Sequence, residues 1–159
     1  MSKSLKRVSA VLAAAGLNVS PVEMPTDTRT AMQAAAAAGC ALAQIAKSII
    51  FLGASTGRVT LFLTAGSNQV DLARAALVAG ESLSRADADQ VRAQTGFAIG
   101  GVAPVGHLRP LPVFIDPRLM SFEVVWAAAG TPRHIFAIAP DDLVQVSGAI
   151  PADFAVPQV

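Results

Sequence analysis

The apolar stretch from Ala34 to Ala54 constrains this chain more than any other feature, because a run of that length must either cross a bilayer or be enclosed by the rest of the protein. Gly39, Gln44, Lys47 and Ser48 interrupt it at intervals that suit no bilayer-centred helix. We therefore read it as two elements: an alanine-rich helix that stops at Gly39, then a short run rich in β-formers, Ile45 to Leu52. Both need a core to cover them. The chain has 159 residues, 53% of them hydrophobic and 14% charged, enough for one domain over residues 1–159 and too short for two independent cores.

Elements of both kinds follow along the chain. Leu5, Val8, Val11, Leu12 and Ala15 recur at helical spacing from Lys3 to Ala15, before Gly16. Val19 to Met24 reads as a strand, and Thr30 as the cap of the helix that runs to Gly39. Val59 to Thr64 pairs naturally with the Ile45 strand across the turn at Gly53 to Gly57. Ser67 or Asn68 is expected to cap a helix over Asp71 to Ala79, and a further helix spans Ala86 to Thr95. Strands are expected at Val113 to Ile115, Glu123 to Ala128 and Ile135 to Ile138, with a last helix opening at Pro140. Strands and helices interleaved without regular βαβ repetition predict an α/β (α+β) fold with a mixed, barrel-like sheet surrounded by helices.

Several chemistries find no support. Cys40 is the single cysteine and, with His107 and His134, leaves too few soft ligands for a structural zinc site. At the end of a helix, beside Gly39, it reads as a small packed thiol. No serine nucleophile elbow, His-Glu-x-x-His pair or paired carboxylates are read, and no tyrosine is available for base stacking. A net charge of +1 argues against coating long nucleic acid but allows a grip on one strand end. The basic start of the chain leads into a short amphipathic stretch, so a cleaved signal peptide is not expected and a cytoplasmic location is. No membrane or DNA partner is expected.

Lys47 is the only lysine outside the first helix. Period-two alternation places it on one face with Ile45, Ile49 and Phe51, so its ammonium emerges from an apolar wall. There it suits an anionic group or developing oxyanion; the alternative is a gatekeeper lysine on a sheet edge or a snorkelling chain. The run from Gly100 to Gly106 lets the backbone approach a ligand with free N–H groups, or is a plain turn. A second glycine-proline turn, Ala129 to His134, carries a histidine able to position a hydroxyl or a water, or one without function. Asp116, before Pro117, reads as a turn former.

Taken in order, several segments resemble the YbaK/EbsC-like family of aminoacyl-tRNA deacylases, the superfamily of the prolyl-tRNA synthetase editing domain. They are Thr30 with its helix, Ile45-Ala46-Lys47-Ser48, Thr95-Gly96, Gly100-Gly101-Val102-Ala103-Pro104-Val105-Gly106, Val113-Phe114-Ile115-Asp116, Ala128-Ala129-Gly130 and Pro140-x-Asp142-Leu143. The resemblance implies a free-standing trans-editing protein that hydrolyses the ester of a mischarged tRNA, most plausibly alanine or 2-aminobutyrate on tRNA(Pro), with no cofactor or metal. It implies that Lys47 is the essential lysine. Backbone contacts to the ester carbonyl or the substrate amine would come from Gly100, Gly101, Val102 and Ala103, and pocket walls from Thr30, Ile45, Phe51 and Gly130, with His134 nearby. The family is thought to recruit a water and a hydroxyl of the terminal ribose in place of an enzyme nucleophile. The implied partner is the acceptor 3′ end of tRNA, with a synthetase as a second candidate. Such a second sieve answers a physical limit, since one methylene in an apolar pocket discriminates by only about 1–3 kcal/mol. The alternative is a noncatalytic module of the same fold that binds tRNA or a synthetase.

Overall fold

In the structure, a computed structural model describing residues 2–157, the elements follow in the order α1 (Lys3–Ala14), β1 (Val22–Glu23), α2 (Ala31–Ala38), β2 (Ile45–Gly53), β3 (Val59–Ala65), α3 (Leu72–Ala79), β4 (Leu83–Arg85), α4 (Ala88–Thr95), β5 (Val113–Ile115), β6 (Val125–Thr131), β7 (His134–Ile138), α5 (Pro140–Ser147) and β8 (Ile150–Pro151). The strands form one mixed sheet ordered β1-β7-β6-β2-β3-β5-β8, with β4 also on β2. No helix among the described residues is long and apolar enough to cross a membrane.

The Ala34–Ala54 stretch divides as its interruptions require. Thr30 caps α2 through a reciprocal box with Gln33, and Gly39 ends the helix in the left-handed conformation. β2 then becomes the spine of the sheet. It runs antiparallel to β3 along its whole length, but its other edge is shared: β6 pairs in parallel with Ile45 and Ala46, and β4 pairs with Phe51, Leu52 and Gly53. Lys47, Ser48, Ile49 and Ile50 lie between those two partners, where the sheet forks.

The main core joins Leu5, Val8 and Leu12 of α1 to Leu61 and Leu63 of β3, Val125 and Ala127 of β6 and Phe136 of β7. A second cluster lies on the other side of β3, where Phe62 contacts Phe51, Phe114 and Phe154 with ring centroids 4.9–5.8 Å apart.

Some boundaries differ from the sequence expectation, each for a local reason. β1 is only Val22–Glu23, because Pro21 has no N–H to donate and Met24 bonds instead to the turn carbonyl of Arg133. Asp71, not Ser67 or Asn68, caps α3, its carboxylate accepting from Arg74 N–H; Asn68 donates to Asp116. β6 continues to Thr131 through a bulge at Ala128–Thr131, which Gly130 makes possible at φ 96°. The second turn is therefore Pro132-Arg133, and His134 begins β7. The short strands β4 and β8 were not expected.

The spelling Gly53-Ala54-Ser55-Thr56-Gly57 does occur, contrary to the expectation that no nucleophile-elbow pattern is present. It forms the hairpin between β2 and β3 rather than a strand-to-helix turn, and Glu81 accepts the Ser55 and Thr56 N–H groups and the Thr56 hydroxyl.

Candidate active site

At the fork of β2 and β6 lies a cavity of about 310 Å³. Its walls come from Thr28 to Ala31 and Ala34, from Ile45 to Ile49 of β2, from Ile99, Gly100 and Val102 of the loop after α4, from Trp126 to Ala128 of β6, and from Ile135 of β7. Most of these groups are small or apolar. Two cations line it: Lys47, half-buried on β2, and Arg29, whose side chain is mostly exposed.

Lys47 is half-buried. Its Nζ donates to the Gly66 carbonyl at 3.4 Å, a long bond that leaves the other two N–H groups available to a ligand. Burial lowers its pKa from the ordinary 10.5, and the negative charge of Asp116 acts in the opposite direction. Asp116 is itself 4% exposed. One of its oxygens accepts from Ala65 N–H and Asn68 Nδ2, the other from Arg118 N–H. That confirms a turn-forming carboxylate and also sets a fixed negative charge behind Lys47.

Next to Lys47, the Ser48 hydroxyl is buried without a hydrogen-bond partner. Thr30 lines the mouth with its Oγ1 accepting from Gln33 N–H. Its own hydrogen remains to donate.

Thr30, Ile45, Lys47, Gly100 and Val102 therefore meet at the cavity, while other expected residues do not line it. Phe51, further along β2, packs edge-on against Phe62 in the second cluster. Gly101 donates its N–H to Ala98 O, so that group is not free for a ligand, and a Cβ at Gly101 would stand only 3.0–3.2 Å from the Thr131 backbone. Ala103 is fully buried and its carbonyl accepts from His107. Gly130 serves packing, since a Cβ there would meet Phe97 and the Ser4 carbonyl at 3.0 Å. His134 is held by Thr131: Thr131 Oγ1 accepts from the N–H groups of Arg133 and His134 and so gives its hydrogen to His134 Nδ1, 2.6 Å away.

Sequence reasoning passed over Trp126, Arg29 and Thr28, and named Ser48 and Ile49 only as neighbours of Lys47 on the strand. Trp126 had a signal: it is the chain's single tryptophan, and it alternates with Val125, Ala127 and Ala129, which are all buried. Arg29 is placed by the loop, its stem against Gly100 and its guanidinium 3.6 Å from Asp27. Cys40 is half-buried outside the cavity lining, with its thiol pKa raised by burial, which suits a packed thiol over a nucleophile. Among the described residues no three His, Cys, Asp or Glu side chains gather as a metal-ion set.

Residues 25–146 match the model of the aminoacyl-tRNA editing domain, a span that contains every residue of the cavity wall. The chain belongs to the aminoacyl-tRNA editing domain family. Proteins similar to this chain include the uncharacterized protein YwhH of Bacillus subtilis, 32% identical over 125 residues and 79% of each chain. Another is EbsC of Enterococcus faecalis, whose name provisionally assigns it to Cys-tRNA(Pro)/Cys-tRNA(Cys) deacylation, 22% identical over 76% of this chain and 74% of that one. A crystal structure of a candidate trans-editing enzyme for prolyl tRNA synthetase superposes with a TM-score of 0.91, at 44% identity, over 99% of both chains. Membership of the editing-domain family implies aminoacyl-tRNA as the substrate class.

Proposed function

We propose that this protein is a cytoplasmic trans-editing deacylase, one editing domain over residues 1–159, that hydrolyses the ester of a mischarged tRNA carrying alanine or 2-aminobutyrate on tRNA(Pro). The observation that carries the proposal is Lys47: a half-buried cation in the lining of a mostly apolar cavity. The walls of alanine, Ile45 and Trp126 suit a short aliphatic side chain. In this reading the Lys47 ammonium binds the substrate's acceptor end and stabilises negative charge as it develops on the ester carbonyl. Gly100 and Val102 confine the ester from the opposite side. Water attacks the carbonyl carbon, the bond to the ribose oxygen breaks, and the terminal ribose hydroxyl carries the proton transfer. The products are the free amino acid and an uncharged tRNA.

The acceptor 3′ end of tRNA is the partner this requires, and a synthetase that delivers it is a second. The names of EbsC and of the prolyl-tRNA trans-editing structure support tRNA(Pro) as the carrier. The test is release of labelled amino acid from tRNA(Pro) charged in turn with alanine, 2-aminobutyrate, serine, cysteine and proline. Fast release confined to the small aliphatic members is expected. Release of none of them, with tRNA binding retained, would mark a noncatalytic module instead.

A further inference from the structure

The loop that supplies Gly100 and Val102 to the cavity is gripped from behind by α1, which precedes the residues matched by the family model. The segment after Gly96 is an Ω-shaped excursion whose ends are brought together by Leu108 N–H on Thr95 O and Arg109 N–H on Gln94 O. Arg7 spans those same ends. Its Nη2 donates to Gly96 O at 2.9 Å and its Nε to Gly106 O at 3.1 Å, while its guanidinium lies 4.9 Å from the centre of the Phe97 ring. Gly96 and Gly106 both have φ 80°, and a Cβ at Gly96 would collide with the Arg7 guanidinium. His107 closes the loop from within, Nε2 donating to Ala103 O at 2.7 Å.

We infer that Arg7 is a positioning residue for the editing reaction, a two-point clamp that fixes where the glycine loop faces Lys47. A guanidinium can hold two carbonyls in one rigid plane; an ammonium of equal charge cannot. Arg7 lies outside the cavity lining, so it acts only through the loop. The inference rests on the deacylase reading for its effect on rate, but the clamp itself is testable without it.

The experiment compares wild type with Arg7→Met, which keeps an apolar stem over Phe97, and Arg7→Lys, which keeps the charge. Deacylation of the best mischarged tRNA is measured together with amide hydrogen exchange. A displaced loop is expected to lower kcat about tenfold or more in both variants, with KM within about threefold. Amides of residues 97–106 exchange faster, and those of β2 and β3 are unchanged. Wild-type loop exchange in Arg7→Met, or full recovery of kcat in Arg7→Lys, would overturn the clamp; the second result would make Arg7 a charge for tRNA. If Arg7→Met does not fold, Arg7→Lys alone carries both readouts. If wild type releases no amino acid, the deacylase reading fails by itself, and loop exchange still decides the clamp.

Discussion

The two ends of β2 are built to opposite standards. At Phe51 to Gly53 the strand is paired on both edges, and its Phe51 side chain packs against Phe62, which also meets Phe114 and Phe154. At Lys47 to Ile49 the strand has β3 on one edge and a fork on the other, and it carries a half-buried cation with one 3.4 Å hydrogen bond and a buried hydroxyl with none. On the proposed function, stability and activity divide along a single strand: the aromatic end anchors the sheet, and the polar end, with its hydrogen bonds incompletely satisfied, receives the ligand.

The largest effect should come from breaking the aromatic cluster against which the Phe51 end packs. Phe62→Ala removes a fully buried ring that touches three others, and should destabilise by about 3–5 kcal/mol in denaturant unfolding; a loss below about 1 kcal/mol would erase the distinction between the two ends. At the open end, Trp126→Ala removes a cavity wall without emptying the core. It should relax discrimination between small and larger amino acids by about 1–3 kcal/mol, read as the ratio of kcat/KM values across the mischarged panel. Unchanged ratios would place the amino acid elsewhere.

Ser48→Ala should leave stability unchanged or raise it by about 1 kcal/mol, since the hydroxyl is buried without a partner. A clear loss of stability would mean that the open end is as well satisfied as the other. The smallest effect is the pH dependence of Lys47. Its folded pKa is lowered from 10.5, mainly by burial, so between the lowered value and 10.5 the unfolded chain binds more protons and stability rises with pH. Relative to Lys47→Met, wild type should therefore gain stability as the pH is raised towards 10.5. A relative loss over that window would reverse the sign of the burial effect.

Much of this contrast was legible in the residues alone. A single lysine in Ile45 to Leu52 marked one polar position on an otherwise apolar strand, and capping chemistry at Thr30 and Gly39 defined α2. The alternation that placed Phe51 on the face of Lys47 was correct. What alternation cannot say is that a strand changes neighbours along its length, so that residues on one face serve a cavity at one end and a core at the other. Gly130 and Gly101 show the same limit, because glycine marks close approach in a sequence without saying what approaches. Here it is Phe97 and Ser4 at one, and the Thr131 backbone at the other. Arg29 reached the cavity through the loop path, which no local pattern encodes; the alternation around Trp126 gave its face but not the sheet order that brings that face to the cavity.

On the proposed function, the polar end of β2 performs ester hydrolysis through Lys47. The most direct test of this is single-turnover deacylation of alanyl-tRNA(Pro) by wild type and Lys47→Met, with thermal unfolding of both proteins followed in parallel. The expected result is a rate lower by about 100-fold or more in Lys47→Met, with an unfolding temperature equal to or above that of wild type. A folded Lys47→Met protein that hydrolyses the ester at the wild-type rate would contradict it.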